Sequence, residues 1–157
     1  ISQTYLASLP RYVCVAVLFL WLAAETISTF PSFLSYYNQL AGGTANGWRI
    51  ATDSNYDWGQ DMKRLADFAA ENQIPSLALD YFGGANPAYY LGSTFVPWQS
   101  ARGPAHGWFA ISASTRQSAF GEPAPGFYRR SEDSYEWLKD YEPVTRAGMS
   151  IFIYNLP

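Results

Sequence analysis

The side chains best suited to chemistry are oxygen donors packed into a short compass. Asp53, Asn55, Asp57 and Asp61 stand in the run Asp53-Ser54-Asn55-Tyr56-Asp57-Trp58-Gly59-Gln60-Asp61, and Asp80 follows at the end of a later apolar stretch. Carboxylates beside an amide can hold sugar hydroxyls or a divalent cation through oxygen. Paired carboxylates can also cleave a glycosidic bond, but their separation, which a sequence does not contain, sets those roles. Asp57 and Gln60 read as a capping box at a helix start, and Asp61 puts negative charge on that helix's positive end. This leaves Asp53, Asn55 and Asp80 as candidate binding residues, and no residue as a catalytic or metal-ligating one. The competing reading is structural: Asp53 makes an Asx turn, Asn55 bonds backbone, and Asp80 pairs with an arginine.

Other chemistries have less to build from. Cys14 is the single cysteine and His106 the single histidine, so thiolate or histidine metal sites and a Ser-His-Asp arrangement are disfavoured. Gly83-Gly84 lacks the remainder of a phosphate-cradling glycine pattern, and no lysine follows it. A net charge of -3, with no basic run longer than the pairs Lys63-Arg64 and Arg129-Arg130, argues against nucleic acid as a partner. No cofactor is called for, and a divalent cation at the three oxygen-bearing side chains is the one ion the pattern allows. Aromatic residues make up 18% of the chain, which suits a membrane-adjacent or sugar-handling protein and equally an aromatic core.

The candidate residues need elements to place them. A strand over 48–52, a helix over 58–71 and a strand over 76–82 would form a right-handed βαβ unit. Strand 76–82 is apolar on both faces, as a parallel strand covered by helices should be. Asp53, Asn55 and Asp80 would then converge beyond the carboxyl ends of two neighbouring strands, where open α/β sheets bind ligands. Asn72 and Pro75 mark the helix end, and Asn86 with Pro87 opens a short helix. The stretches 92–106 and 117–126 read as loops, 107–113 as a strand, 131–140 as a helix, and 143–147 with 150–154 as a closing hairpin about Gly148. The expectation is a small α/β domain over 48–157, its mixed sheet flanked by helices.

Ahead of it, Arg11 and Glu25 are the only charged residues before Trp48. The run from Tyr12 to Phe30 spans roughly 28 Å as a helix, close to a bilayer's hydrocarbon thickness. A buried helix or a signal-peptide core is the alternative, but the flanks fit a signal peptide poorly. Residues 1–30 therefore read as a loop end and a transmembrane helix. Arg11 puts its start on the cytoplasmic side, with 48–157 extracytoplasmic. Residues 31–47 read as an interfacial aromatic segment and linker, its aromatic part a helix lying along the membrane surface, or as a short helix packed on the domain. The chain opens at Ile1 without an initiator Met, so a longer protein is expected, with this helix the last of several.

The runs Phe30-Pro31-Ser32-Phe33-Leu34-Ser35-Tyr36-Tyr37-Asn38, Gly42-Gly43, Asp53 to Asp61, Asp80-Tyr81-Phe82-Gly83, Gly107 to Ser112 and Trp137 to Pro143 occur in an order that resembles the C-terminal part of bacterial multi-pass glycosyltransferases. These are similar to the dolichyl-phosphate-mannose protein mannosyltransferase family, with the GT-C fold. The resemblance implies an enzyme of the bacterial cytoplasmic membrane that passes a sugar from a polyprenyl-phosphate donor to a protein or glycan acceptor on the outer side. Its acidic catalytic residue would lie in an early outer loop upstream, so no residue here inherits that role. This chain would be an accessory region for acceptor binding or site closure. The alternative is a membrane-anchored glycan- or cation-binding module without catalytic activity.

Overall fold

The computed structural model describes residues 2–52, 56–123, 125–126, 128 and 134–157. The chain divides into two compact units, Ile1–Phe33 and Leu34–Pro157. The first is one helix, α1 (Ser2–Thr29), within which Pro10–Thr29 is long and apolar enough to cross a membrane. Its apolar side chains point outward: Phe19, Leu20 and Leu22 are all exposed. Thr26, Ser28 and Thr29 turn their hydroxyls back onto the carbonyls of Leu22 and Glu25, which satisfies these polar groups inside the helix itself. The helix stops just ahead of Pro31, as the sequence predicts.

The second unit is α/β, with a mixed sheet of β1 (Leu77–Asp80), β2 (Phe95–Pro97), β3 (Gly107–Ser112), β4 (Thr145–Ala147) and β5 (Ile151–Leu156) in the order β2-β1-β3-β5-β4. β1 runs parallel to both β2 and β3, while β5 runs antiparallel to β3 and β4. Alternation along the strands divides the core in two. Leu77, Leu79, Ala110, Ile151 and Ile153 share one buried cluster with Met62, Leu65 and Ala69 of α2 (Met62–Glu71). Ala78, Phe109, Ile111, Phe152 and Tyr154 share the other with Ala113 and Ala119 of α4 (Ala113–Phe120) and Leu138 of the 3-10 turn Glu136–Asp140. Helical elements therefore cover both faces.

The opening of this unit departs from the expected βαβ start. The segment 48–52 is not a strand; a 3-10 turn occupies Gly47–Arg49, and the first strand is β1. Apolar content there reflects packing instead: Trp48 meets Phe152 edge to face and leans on the core from outside the sheet. The helix also begins later than its sequence pattern suggests, at Met62, and Trp58 is exposed, outside the apolar stripe. Residues 33–41 form two separate 3-10 turns, Phe33–Ser35 and Gln39–Ala41, in place of one interfacial helix. The segment expected as a loop after 92 contains β2, and α4 extends into the second expected loop. A shorter helix, α3 (Pro87–Leu91), is where its sequence signals put it, with the Asn86 side chain accepting from the Ala88 N–H at 3.1 Å.

Candidate functional site

Asp80 is the last residue of β1 and lies in register with Ile111 of β3, so it stands at the carboxyl edge of the two parallel strands. It is half-buried, and its Oδ2 accepts a hydrogen bond of 2.5 Å from the Tyr135 hydroxyl. Tyr135 is held by contact with the Phe109 and Trp137 rings. Burial raises the Asp80 carboxyl above its ordinary range, and the tyrosine hydrogen bond pulls it partly back. The same burial, with the carboxylate opposite, pushes the Tyr135 phenol up. No arginine ion pair is made by Asp80 among the described residues; the neutral tyrosine takes that place. A neutral donor leaves the carboxylate its charge, so the edge can accept hydrogen bonds from a hydroxyl-bearing ligand.

Close by, Ser112 at the end of β3 accepts from the Phe82 N–H at 2.9 Å and lies 2.9 Å from the Thr115 hydroxyl. Two residues further along, Ser114 donates to the Thr52 carbonyl at 3.3 Å. That bond brings the entry to the Asp53 run to the same sheet edge as Asp80. The exit is tied as well: buried Tyr56 donates to the Thr44 carbonyl, and its own carbonyl accepts from Ser35 and from the Gln60 amide. Asp53, Ser54 and Asn55 lie outside the described residues. Of the three predicted binding residues, the structure therefore places Asp80 alone, together with both flanks of the segment carrying the other two.

The rest of the run is a structural clamp. Asp57 Oδ1 accepts from the Gly59 N–H at 3.1 Å, and Gln60 Oε1 accepts from the Trp58 N–H at 2.7 Å, so both close turns ahead of the helix and the expected capping box does not form. The N-cap position of α2 is Asp61, whose side chain makes no cap bond because it is committed elsewhere. Asp61 is buried and bonds across the chain, accepting from the Met149 N–H, the Ser150 N–H and the Ser150 hydroxyl at 2.9, 3.0 and 2.9 Å, and from Arg64. It pins the start of α2 to the β4–β5 turn. Asp57 is equally buried, but its Oδ2 has no partner among the described residues. Burial pushes its carboxyl up to about 7; the Gly59 N–H and the Ser150 hydroxyl pull the other way, and the nearby Asp61 charge adds to the rise.

The glycines beside this clamp are explained by packing. Gly59 and Gly83 both have positive φ, and a Cβ on either would fall within 2.2 Å of the Tyr81 hydroxyl. Gly59 and Gly83 thus make room for a tyrosine, whereas a Cβ on Gly84 would meet only the Trp58 carbonyl at 3.8 Å. Burial pushes the Tyr81 phenol up to about 12. Elsewhere, His106 Nδ1 donates to the Pro157 carbonyl at 2.7 Å, which ties the entry of β3 to the end of β5. No three His, Cys, Asp or Glu side chains gather as a metal site among the described residues.

Sequence reasoning missed Tyr135 and Ser112 at this edge, and the partners of Asp61. Tyr135 is 55 positions from Asp80, with no local pattern to link them. For Asp61 one signal existed: Gly148, with φ +58, has the Asp61 carboxylate 2.0 Å from where a Cβ would sit.

Fold and site together define an α/β domain with a mixed sheet and a polar carboxyl edge, preceded in the chain by one apolar helix of membrane-spanning length. Comparison with family models, curated proteins and solved structures finds no match in any of the three.

Proposed function

We propose that this chain is the last transmembrane helix and extracytoplasmic domain of a bacterial glycosyltransferase that uses a polyprenyl-phosphate-sugar donor. The domain serves the acceptor or closes over the membrane site, and its own residues perform no chemistry. The single observation that carries the membrane part is α1: its apolar side chains face outward over the whole span Pro10–Thr29 and require lipid or other apolar helices around them. The transferase part is supported by the ordered residue runs that resemble that family. The clamp built by Asp57 and Asp61 suits an accessory role, because these carboxylates hold the fold together.

Within this reading the Asp80 edge takes acceptor hydroxyls, with Asp53 and Asn55 as its further oxygen donors. A free-standing glycan- or cation-binding anchor is the competing function, and the half-buried Asp80 carboxylate fits it equally. Reading the coding DNA upstream of Ile1 separates the two. Several apolar spans with an acidic residue in the first outer loop are expected for the transferase. An initiator codon a few residues upstream would sink it and leave the anchor.

A further inference from the structure

Three arginines from three elements gather around one aromatic pair in the Leu34–Pro157 unit. Trp48 and Phe152 have ring centres 5.1 Å apart. Arg49, beside Trp48 in the 3-10 turn, has its guanidinium carbon 5.1 Å from the Trp48 ring centre. Arg116 of α4 lies 5.0 Å from Trp48 and 4.8 Å from Phe152, and Arg146 of β4 lies 5.4 Å from Phe152. Arg116 also donates through Nε to the Tyr154 hydroxyl, and Arg146 through Nη1 to the Ala45 carbonyl. These neutral acceptors orient the guanidinium groups without cancelling charge. Among the described residues, the ion pairs use Lys63, Arg64 and Lys139, and none of these three.

Aromatic faces attract cations only modestly where water reaches them, so the cluster keeps a positive field in a chain of net charge -3. That field is complementary to an anion. The adjoining loop says which kind. Leu40 is 91% exposed and Ile50, next to Arg49, is 60% exposed, while Ala45, which anchors Arg146, lies between them in the chain. An exposed isoleucine next in sequence to Arg49 and an exposed leucine ten positions before that isoleucine, on the stretch that also anchors Arg146, combine with the planar guanidinium forks to match a phospholipid surface. There aliphatic tips enter the acyl boundary and forks take phosphate oxygens.

We propose that Arg49, Arg116 and Arg146, gathered around Trp48 and Phe152, bind the phosphodiester headgroups of anionic phospholipid. The α/β domain is thereby seated on the bilayer surface through the 40–50 loop. This rests on α1 lying in the bilayer and is independent of the sugar-transfer assignment.

The test uses the full chain in lipid nanodiscs, either phosphatidylcholine alone or phosphatidylcholine mixed with phosphatidylglycerol. Amide deuterium exchange is read over 44–50 and 145–149. Exchange should slow about tenfold in the anionic discs, and Arg49→Gln or Arg146→Gln should each give back about fivefold, the worth of one basic residue near an anionic surface. Unchanged melting of the two variants shows that they fold. Equal exchange in the two disc types, or an Arg49→Gln variant indistinguishable from the parent, overturns the proposal. So does the same slowing in phosphatidylcholine discs on adding millimolar inorganic phosphate, which would assign the cluster to a soluble anion. Failure of the chain to co-elute with either disc overturns the placement of α1 itself, and upstream coding sequence judges the transferase reading separately.

Discussion

Asp57 and Asp61 share one turn and are both buried, yet they differ in their partners. Asp61 receives two backbone N–H groups, a hydroxyl and a guanidinium, whereas Asp57 accepts one N–H and its Oδ2 has no partner among the described residues. The linkage sign follows from the raised Asp57 value. An unfolded chain releases this proton near 3.8, whereas the folded domain holds it until about 7. Its contribution to stability is therefore complete below 3.8 and lost as pH rises through about 7. Asp57→Asn keeps the acceptor and removes the titration. Its melting temperature should change less than the parent's between about pH 5 and about pH 8, and parallel curves would refute the assignment. At Gly148, a Cβ would meet the Asp61 carboxylate, and φ is positive. Gly148→Ala is expected to cost about 2 kcal/mol in urea unfolding, through strain and a displaced buried acceptor. At Asp80, Asn preserves an acceptor for Tyr135, so Asp80→Asn should melt close to the parent. Asp80→Ala strands a buried hydroxyl and should lose about 1–3 kcal/mol.

Among the elements, α1 and α3 are the two whose sequence signals are purely local. In α1 the apolar run is long enough and the hydroxyls bond within the helix, so its fate depends on the medium around it. Leu20→Lys, in the middle of the span and exposed, should raise the insertion free energy by about 3 kcal/mol. Alkaline extraction of membranes reads this directly: the parent stays with the pellet and the variant shifts toward the supernatant. In α3 the Asn86 cap is a single hydrogen bond, and Asn86→Ala should cost about 1 kcal/mol. The start of α2 was less legible. Its periodic pattern extends back to Trp58, but Asp61 and Gln60 make bonds that bend residues 58–61 into a turn, and those bonds depend on Ser35 and Ser150 far along the chain.

At the scale of the whole molecule, β3 is the centre of the sheet with β1 and β5 on either side, and β2 and β4 are its edges. Amides of Phe109–Ile111 and Ile151–Ile153 should be the last to exchange, well after those of β2 and β4; early exchange in β5 would contradict this arrangement. Short apolar runs bounded by turn residues already marked β1, β3 and the β4–β5 hairpin, because a strand buried on both faces must be apolar on both. The sequence also marked α1 as a helix long and apolar enough to cross a membrane, because the run between Arg11 and Glu25 carries no charge, and α3, because Asn-Pro is a local start signal. The sequence did not reveal that 48–52 is a packing turn: β-branched and aromatic residues look alike whether they pair in a ladder or lean on a sheet from outside. Nor did it distinguish the oxygen donors of one short run. Asp53 and Asn55 remain candidates by residue type, with the preceding Thr52 tied to Ser114 just past β3, whereas Asp61 is a clamp because a hairpin 89 positions away presents three donors to it. Local pattern determined which segments were apolar and where chains could turn, since those depend on neighbours in sequence. Which carboxylate is spent on the fold, and which tyrosine partners Asp80, was decided by tertiary structure, since a hydrogen bond depends on what lies within about 3 Å in space.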